Sequence, residues 1–240
     1  MVKFLKSILV FLFPPACPVC DTPVSVHGQL CAKCWSEMNW ISSPYCARCG
    51  YPFPADLDLG GVPLCPVCAA GRCELDWIRS ACVYDDASRA VMLPFKHGGK
   101  IRYSLFMSHA MIWALRDLDM DVDIVMPVPL ARRRLFHRGY NQATLLARPI
   151  ARALGVEIDY DSVARHYRPN MGHKTSRERA QNIHGVFFVK NPDKIRGRKI
   201  LLIDDVMTTG ATFSELRRVL IASGAKAVYG VTFCRVVHAI

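Results

Sequence analysis

The stretch LLIDDVMTTGAT, from Leu201 to Thr212, joins an apolar run, two acidic residues and a turn of small residues. The run predicts a buried strand that delivers Asp204 and Asp205 to its carboxyl end, where open α/β sheets bind ligands. Backbone N–H groups and hydroxyls of the following turn suit a dianionic phosphate, and Gly210 lets the backbone approach it closely. The carboxylates disfavour phosphate and suit vicinal hydroxyls, as on ribose. The alternative is a strand and turn that bind nothing.

The chain around this stretch alternates between strand and helix patterns. Strands are predicted at 78–84, 123–128, 200–203 and 227–233, and amphipathic helices at 104–118, 141–154 and 212–222. Strands that alternate with helices favour an α/β layer fold with a parallel sheet.

Composition excludes some classes of protein. With 240 residues and 51% hydrophobic residues, the chain has enough apolar side chains for a core and is not intrinsically disordered. No apolar run reaches the roughly 18 residues that span a bilayer. Residues 125–240 carry 20 Lys and Arg against 8 Asp and Glu, so they hold all of the excess charge of +11. This asymmetry indicates a phosphate-bearing partner, with a solubilising basic face as the alternative.

Ten of the 11 cysteines precede residue 83, and eight form four CxxC pairs. The pairs are Cys17/Cys20, Cys31/Cys34, Cys46/Cys49 and Cys65/Cys68. Their spacing is typical of zinc ribbons, and four knuckles suffice for two structural Zn²⁺ ions. Sequential grouping is the simplest arrangement, and a cross-braced one stays open. A disulfide framework would need an oxidising compartment, and a thioredoxin-like site would need one CxxC at a helix start.

The cysteine pattern predicts two domains: residues 1–76, with an N-terminal helix and a double zinc ribbon, and residues 77–240, with the α/β layers. The first sixteen residues imitate a secretory signal, but Pro14 and Pro15 stand where a cleavage motif should be. We therefore expect a short amphipathic helix on the protein body, with membrane-surface contact as the alternative. Thiolate zinc sites belong in a reducing compartment, so we expect a cytoplasmic protein. Cys73, Cys82 and Cys234 are predicted to be small buried hydrophobes.

Further motifs carry a family resemblance. The stretch 201–212 resembles the phosphoribosyl pyrophosphate (PRPP) loop of type I phosphoribosyltransferases. Four CxxC pairs, PFKHGGK at 94–100, MPVPL at 126–130, RRR at 132–134 and RGYNQA at 138–143 together resemble the ComF family of competence-associated proteins. The resemblance covers essentially the whole chain. It implies a type I phosphoribosyltransferase fold behind the zinc ribbon, and a link to DNA uptake or to DNA as a nutrient.

The resemblance also assigns roles to residues. It implies that Asp204 and Asp205 are the catalytic pair and hold the ribose 2′ and 3′ hydroxyls. The PRPP loop would comprise Val206, Met207, Thr208, Thr209, Gly210, Ala211 and Thr212, of which the last five wrap the 5′-phosphate. The pyrophosphate loop would comprise Pro127, Val128, Pro129 and Leu130.

Basic residues accompany the pyrophosphate loop. Arg132, Arg133, Arg134 and Arg138 lie within seven residues and have no acidic neighbour in sequence, which indicates an anion site. A solvated arginine face is the alternative. Lys96 and Lys100 are candidates for the same anion site.

The segment 169–185 is polar and basic and has no apolar periodicity, which is typical of a mobile lid. Its candidate site residues are Lys174, Arg177, Arg179 and Asn182, and the last two match the resembled pattern. His173 and Thr175 depart from that pattern, which has a Gln and a Leu there.

Two functions fit these features. The first is a phosphoribosyltransferase that uses PRPP and Mg²⁺ and transfers to an acceptor the sequence does not identify. The second is a non-enzymatic protein that handles single-stranded DNA, in contact with the DNA-uptake machinery, with a repurposed phosphoribosyltransferase fold. Basic residues without interleaved aromatic residues do not make a stacking platform, which counts against the second.

Overall fold

The computed structural model describes residues 14–56, 63–71, 75–118, 121–131, 135–136, 138–166 and 183–237. The strands are β1 (Trp77–Val83), β2 (Ile124–Pro127), β3 (Glu157–Ile158), β4 (Val163–Arg165), β5 (Phe187–Val189), β6 (Lys199–Met207) and β7 (Ala227–Arg235). The helices are α1 (Ala32–Ser36), α2 (Pro66–Ala69), α3 (Asp86–His97), α4 (Tyr103–Ala114), α5 (Gln142–Leu154), α6 (Pro192–Ile195) and α7 (Ala211–Ala222). No helix among the residues so described is long and apolar enough to cross a membrane.

Five strands form one parallel sheet in the spatial order β1-β7-β6-β2-β3. Side chains alternate between the two faces of the sheet along each strand, and helices pack on both faces. The sheet is therefore buried on both sides. Leu201 and Ile203 of β6 face a core that includes α3, α4 and α5, whereas Ile200 and Leu202 face a core that includes α7. This arrangement confirms the predicted α/β fold with a parallel sheet.

The sequence-based strand at 200–203 is too short. In the structure β6 continues through Met207, because β7 pairs with it over its whole length, from Lys199 opposite Ala227 to Met207 opposite Arg235. Asp204 and Asp205 therefore lie inside the last four residues of the strand.

Helix α3 includes the first four residues of the segment 94–100. The helix begins with a capping box, in which Asp85 and Ser88 exchange hydrogen bonds between side chain and backbone. It includes Pro94 and ends before Gly98. Proline within a helix removes a backbone donor, and for this reason sequence patterns predict a break there.

Strands β4 and β5 form an antiparallel ribbon beside α7. They flank residues 167–182, which lie outside the described part of the chain, so the predicted lid at 169–185 is described only from residue 183. Residues 1–13 and Cys73 lie outside it too, and the N-terminal helix stays a prediction. Cys82 and Cys234 are fully buried, as expected.

The cysteine-rich segment covers the outer edge of β1. The backbone of Val83 donates to Asn39, Ile41 donates to Ala81, and Ile78 donates to Arg48, each over 2.8–2.9 Å. The segment thus completes the hydrogen bonding of the edge strand. The predicted domain division between residues 76 and 77 stays a prediction.

Candidate functional site

Two clusters of four cysteines follow the sequential grouping. The first cluster is Cys17, Cys20, Cys31 and Cys34, and the second is Cys46, Cys49, Cys65 and Cys68; within each, the sulfur atoms lie within 4.8 Å of one another. Backbone N–H groups donate to sulfur within the knuckles, as from Cys34 to Cys31 and from Cys49 to Cys46, both at 3.5 Å. Four convergent thiolates are the donor set of tetrahedral structural zinc, so the residues fit two Zn²⁺ ions.

Two buried arginines of the sheet hold the second cluster. Arg235, at the end of β7, donates from its guanidinium to the Cys49 carbonyl, and its Nη1 lies 3.8 Å from the Cys49 sulfur. Arg79 of β1 donates to the Ala47 carbonyl over 2.9 Å. Both side chains are more than nine-tenths buried. Buried cations of this kind are stable only with negative partners, and a zinc–tetrathiolate carries two negative charges.

The acidic pair lies where β6 ends. The Asp205 carboxylate is buried and pairs with Lys96 of α3, with 2.9 Å between Oδ1 and Nζ. The half-buried Asp204 accepts a hydrogen bond from the Asp205 backbone at 2.9 Å. The sheet thus presents two adjacent carboxylates, and Lys96 contacts the one of Asp205.

Burial raises the pKa of the Asp204 carboxyl to about 7, and the neighbouring Asp205 charge adds to the effect. The cations Lys96 and Arg165 act in the opposite direction. Asp204 is therefore half protonated near neutral pH, unlike an ordinary aspartate.

The turn after β6 is open to solvent. Thr208 and Thr209 are exposed, and Gly210 has a φ of 77°, in the left-handed region that favours glycine. A Cβ on Gly210 would lie 3.1 Å from the terminal methyl of Met207, which is itself buried. Helix α7 begins at Ala211, whose backbone N–H donates to the Thr209 hydroxyl at 3.4 Å, so the first N–H groups of the helix lie at this turn. Thr212 lies in the same first helical turn, and Val206 is half-buried.

The loop after β2 lies beside this turn. Its Val128 donates from the backbone to Ile203 of β6 at 2.9 Å, and Asn141 at the start of α5 donates to the Val128 carbonyl at 3.1 Å. Pro127 and Val128 are buried, whereas Pro129 and Leu130 are half-buried. The structure therefore brings the two predicted ligand loops together at one edge of the sheet.

The RGYNQA motif has a structural role that the sequence did not reveal. The Tyr140 hydroxyl donates to the Phe95 carbonyl, and the Gln142 amide donates to the Lys96 carbonyl at 3.4 Å. These bonds fix the last turn of α3, and this turn carries Lys96 to Asp205. These bonds join residues about 45 positions apart, so no local sequence pattern predicts them. Only the resemblance of the motif to the ComF family indicated its importance.

Other predicted residues are dispersed. Lys100 is exposed beyond the end of α3. Arg138 is half-buried, and although burial raises the pKa of the Tyr140 hydroxyl, the charge of Arg138 acts to lower it. Arg132, Arg133, Arg134, Lys174, Arg177, Arg179 and Asn182 lie outside the described residues. The sequence did not predict a role for Arg165 of β4, whose positive charge acts to lower the pKa of the Asp204 carboxyl.

Comparison with known proteins identifies the family. The chain matches the double zinc ribbon domain over residues 8–82 and the phosphoribosyl transferase domain over residues 141–239. It is 30% identical over 234 residues to the DNA utilization protein YhgH of Escherichia coli K12, covering 92% of this chain and 97% of that one. It is also 26% identical over 209 residues to Competence protein F of Haemophilus influenzae, covering 83% of this chain and 87% of that one.

The chain belongs to the ComF family. A third relative, Competence protein ComFC of Bacillus subtilis, is 27% identical over 206 residues, which covers 83% of this chain and 80% of the relative. This ComF protein therefore combines a phosphoribosyltransferase fold with an N-terminal double zinc ribbon.

Proposed function

We propose that this ComF protein binds PRPP with Mg²⁺ at the edge formed by the ends of β6 and β2. The observation that carries the proposal is the juxtaposition of a carboxylate pair with an exposed Thr-Thr-Gly turn at a helix start. A helix N-terminus with free N–H groups favours a phosphate, and two carboxylates accept hydrogen bonds from vicinal hydroxyls. PRPP carries both a 5′-phosphate and vicinal ribose hydroxyls.

Each loop has a role in this proposal. Residues 208–212 hold the 5′-phosphate, while Asp204 and Asp205 accept from the ribose hydroxyls. Residues 127–130, with Lys96 and the arginines at 132–134 and 138, face the pyrophosphate. The candidate residues of the predicted lid, Lys174, Arg177, Arg179 and Asn182, would contact the bound ligand. Asp204 and Asp205 would support the ribose hydroxyls of a PRPP–Mg²⁺ complex, in which the metal would neutralise part of the charge on the departing pyrophosphate.

The proposed reaction breaks the bond from the anomeric carbon to pyrophosphate and forms a bond to an acceptor nucleophile. Positioning of the donor and cations around the departing pyrophosphate supply most of the rate enhancement. Lys96 is suited to this task because it is already held at the acidic pair and is mostly buried, which strengthens its interaction with a departing anion.

DNA use is the biological setting we propose, in the cytoplasm. Two relatives are named for competence and another for DNA utilization, and the basic second half of the chain is compatible with nucleic acid. That charge also favours a second candidate function, the handling of single-stranded DNA without turnover.

Calorimetric titration of PRPP into the zinc-loaded protein, with and without Mg²⁺, tests the proposal. We expect saturable, Mg²⁺-dependent binding that is lost in Asp204→Ala/Asp205→Ala. The control Asp86→Ala/Asp193→Ala removes two exposed acids that pair with arginines on the surface, and should bind normally. Binding by the intact protein only to oligothymidylate, with steep weakening by salt, would favour DNA handling instead.

The pH dependence sharpens the test. Because the pKa of Asp204 is about 7, its carboxylate forms between pH 6 and 8, and hydroxyl binding should strengthen over that interval. PRPP phosphates also titrate near pH 6. In Asp204→Asn the pH dependence of binding that is due to Asp204 is lost, while the part due to the PRPP phosphates remains. The difference between the two proteins therefore measures the contribution of Asp204. An identical pH slope in both proteins would contradict this role.

A further inference from the structure

A cleft opens beside the loop after β2, on the side where Tyr160, Arg165 and Lys190 lie. We call it the lateral cleft. It has a volume of about 610 Å³, and its walls are Pro129 and Leu130, the outer side of α5, the segment 160–165 and Lys190. This volume is within the range of ligand sites in proteins.

Cations from three elements line the lateral cleft. Arg148 comes from α5, Arg165 from β4 and Lys190 from the residue after β5, whereas Asp161 is the one acidic residue among the described residues of the lining. Within the described residues, no carboxylate lies within ion-pairing distance of Arg148 or Lys190. The cleft therefore has an excess of two positive charges, which matches a phosphate monoester dianion.

The remaining walls are apolar and aromatic. Leu130 and Leu145 form one side, and the Tyr160 ring, 45% exposed, forms another. The Arg148 guanidinium lies 6.0 Å from the centre of that ring, and its Nε lies 3.4 Å from the Tyr160 hydroxyl. An exposed ring beside a guanidinium is a stacking surface for a planar ligand.

The wall that carries Tyr160 is preformed. The Asp159 carboxylate is buried and accepts hydrogen bonds from the backbones of Asp161 and Ser162, each at 2.9 Å. The Lys190 backbone donates to the Ser162 carbonyl at 2.7 Å and fixes the third cation beside this turn. A preformed site loses less entropy on binding than one that must be ordered.

We propose that the lateral cleft is a second binding site, for an aromatic ligand with a phosphate monoester group. It is not the acceptor site of the proposed reaction, since it shares Pro129 and Leu130 with the loop assigned to the leaving pyrophosphate. An acceptor attacks the anomeric carbon from the opposite side. The exclusion of an acceptor rests on the proposed function, but Arg148 and Tyr160, which would hold the new ligand, are not among the residues assigned to PRPP.

A probe without ribose tests the site, because a nucleotide would also fit the proposed phosphoribosyl turn. We would titrate α-naphthyl phosphate by its fluorescence into the full-length, zinc-loaded protein. We expect saturable binding that weakens about tenfold in Arg148→Ala and in Tyr160→Ala, whereas Tyr160→Phe retains it. α-Naphthol and inorganic phosphate should each bind more weakly than the complete probe.

Two controls make the result decisive. Arg152→Ala removes an exposed cation one turn further along α5, outside the lateral cleft, and should leave binding unchanged. Asp204→Ala/Asp205→Ala should also bind the probe normally. The proposal fails if the intact protein shows no saturation up to about 10 mM. It also fails if Arg152→Ala weakens binding as much as Arg148→Ala, or if only the acidic-pair variant loses it.

Discussion

The two cysteine clusters share ligand type and spacing but differ in their surroundings. In the first cluster Cys20 is exposed, and an ion pair between two solvent-exposed side chains, Arg102 and Asp21, is one of its contacts with the helices. In the second cluster all four cysteines are buried, and buried Arg79 and Arg235 hold it to two strands. The first cluster packs with the core that includes α4 and α5, and the second with the core that includes α7.

The difference shows that two clusters with the same four ligands can be attached to the rest of the fold to different extents. Arg235 pairs with Met207 in the sheet, and Val236 donates to the Met207 carbonyl at 2.8 Å. Thr208 and the exposed turn follow directly. Arg235 and Met207 thus connect the second cluster to the candidate phosphate site. The first cluster packs instead with the core that includes α4.

Loss of a ligand should have the largest effect. We expect Cys49→Ser to lose one zinc and to lower the melting temperature by more than about 10 °C, because zinc binding and folding of the sheet edge are coupled. Cys20→Ser should lose the other zinc with a clearly smaller fall. Metal analysis and calorimetry measure both, and Cys82→Ala, a buried non-ligand, should keep two zinc ions. Equal falls for both serine variants would contradict the comparison.

Zinc release should occur in two phases. Exposure of Cys20 lets a chelator attack the first cluster directly, whereas the second cluster must open first. We expect rates that differ by about tenfold or more, followed by the absorbance of a colorimetric chelator. Cys20→Ser should abolish the fast phase. A single phase with two equivalents of zinc would show that burial does not distinguish the clusters.

Removal of the anchoring arginines should give a smaller, graded effect. Arg235→Ala removes the cation that lies next to the Cys49 sulfur and should lower the free energy of unfolding by about 3 kcal/mol. Arg102→Ala removes a surface ion pair and should cost less than about 1 kcal/mol. Denaturant unfolding measures both, and Arg235→Lys should fall between wild type and Arg235→Ala. A larger cost for Arg102→Ala would reverse the interpretation.

The smallest expected effect is communication from the phosphate turn. Ribose 5-phosphate should slow zinc release from the second cluster by about twofold and leave the first unchanged, since the ligand orders the turn next to Met207. Asp204→Ala/Asp205→Ala should remove this protection. If ribose 5-phosphate slowed zinc release from both clusters, or still slowed it in the variant, the effect would not pass from the phosphate turn through Arg235.

Much of the fold followed from local sequence patterns. Cysteine spacing predicted both clusters, and apolar runs predicted the sheet strands near 78–84, 123–128, 200–203 and 227–233. The three-residue strands β4 and β5 escaped prediction because so short a segment has no measurable periodicity. Helix α3 was not predicted either: Pro94 in its last turn is followed by Gly98 and Gly99, a combination that favours a turn in sequence.

The candidate site was only partly predictable. The acidic pair and the small-residue turn are contiguous in sequence, so their proximity follows from local geometry. Contacts of Lys96 with Asp205, and of Arg235 with Cys49, join residues more than 100 positions apart. Such contacts depend on the order of strands in the sheet, which no local pattern encodes.

The segment along the outer edge of β1 has a consequence for handling the protein. Asn39, Ile41 and Arg48 occupy backbone groups of β1 that would otherwise be free. An uncovered edge strand is a template for pairing with another molecule. Chelators that unfold the ribbons would expose this edge together with its apolar surroundings, so metal-depleted protein should self-associate through β1 and precipitate. Purification in the presence of zinc protects against aggregation by keeping that edge covered.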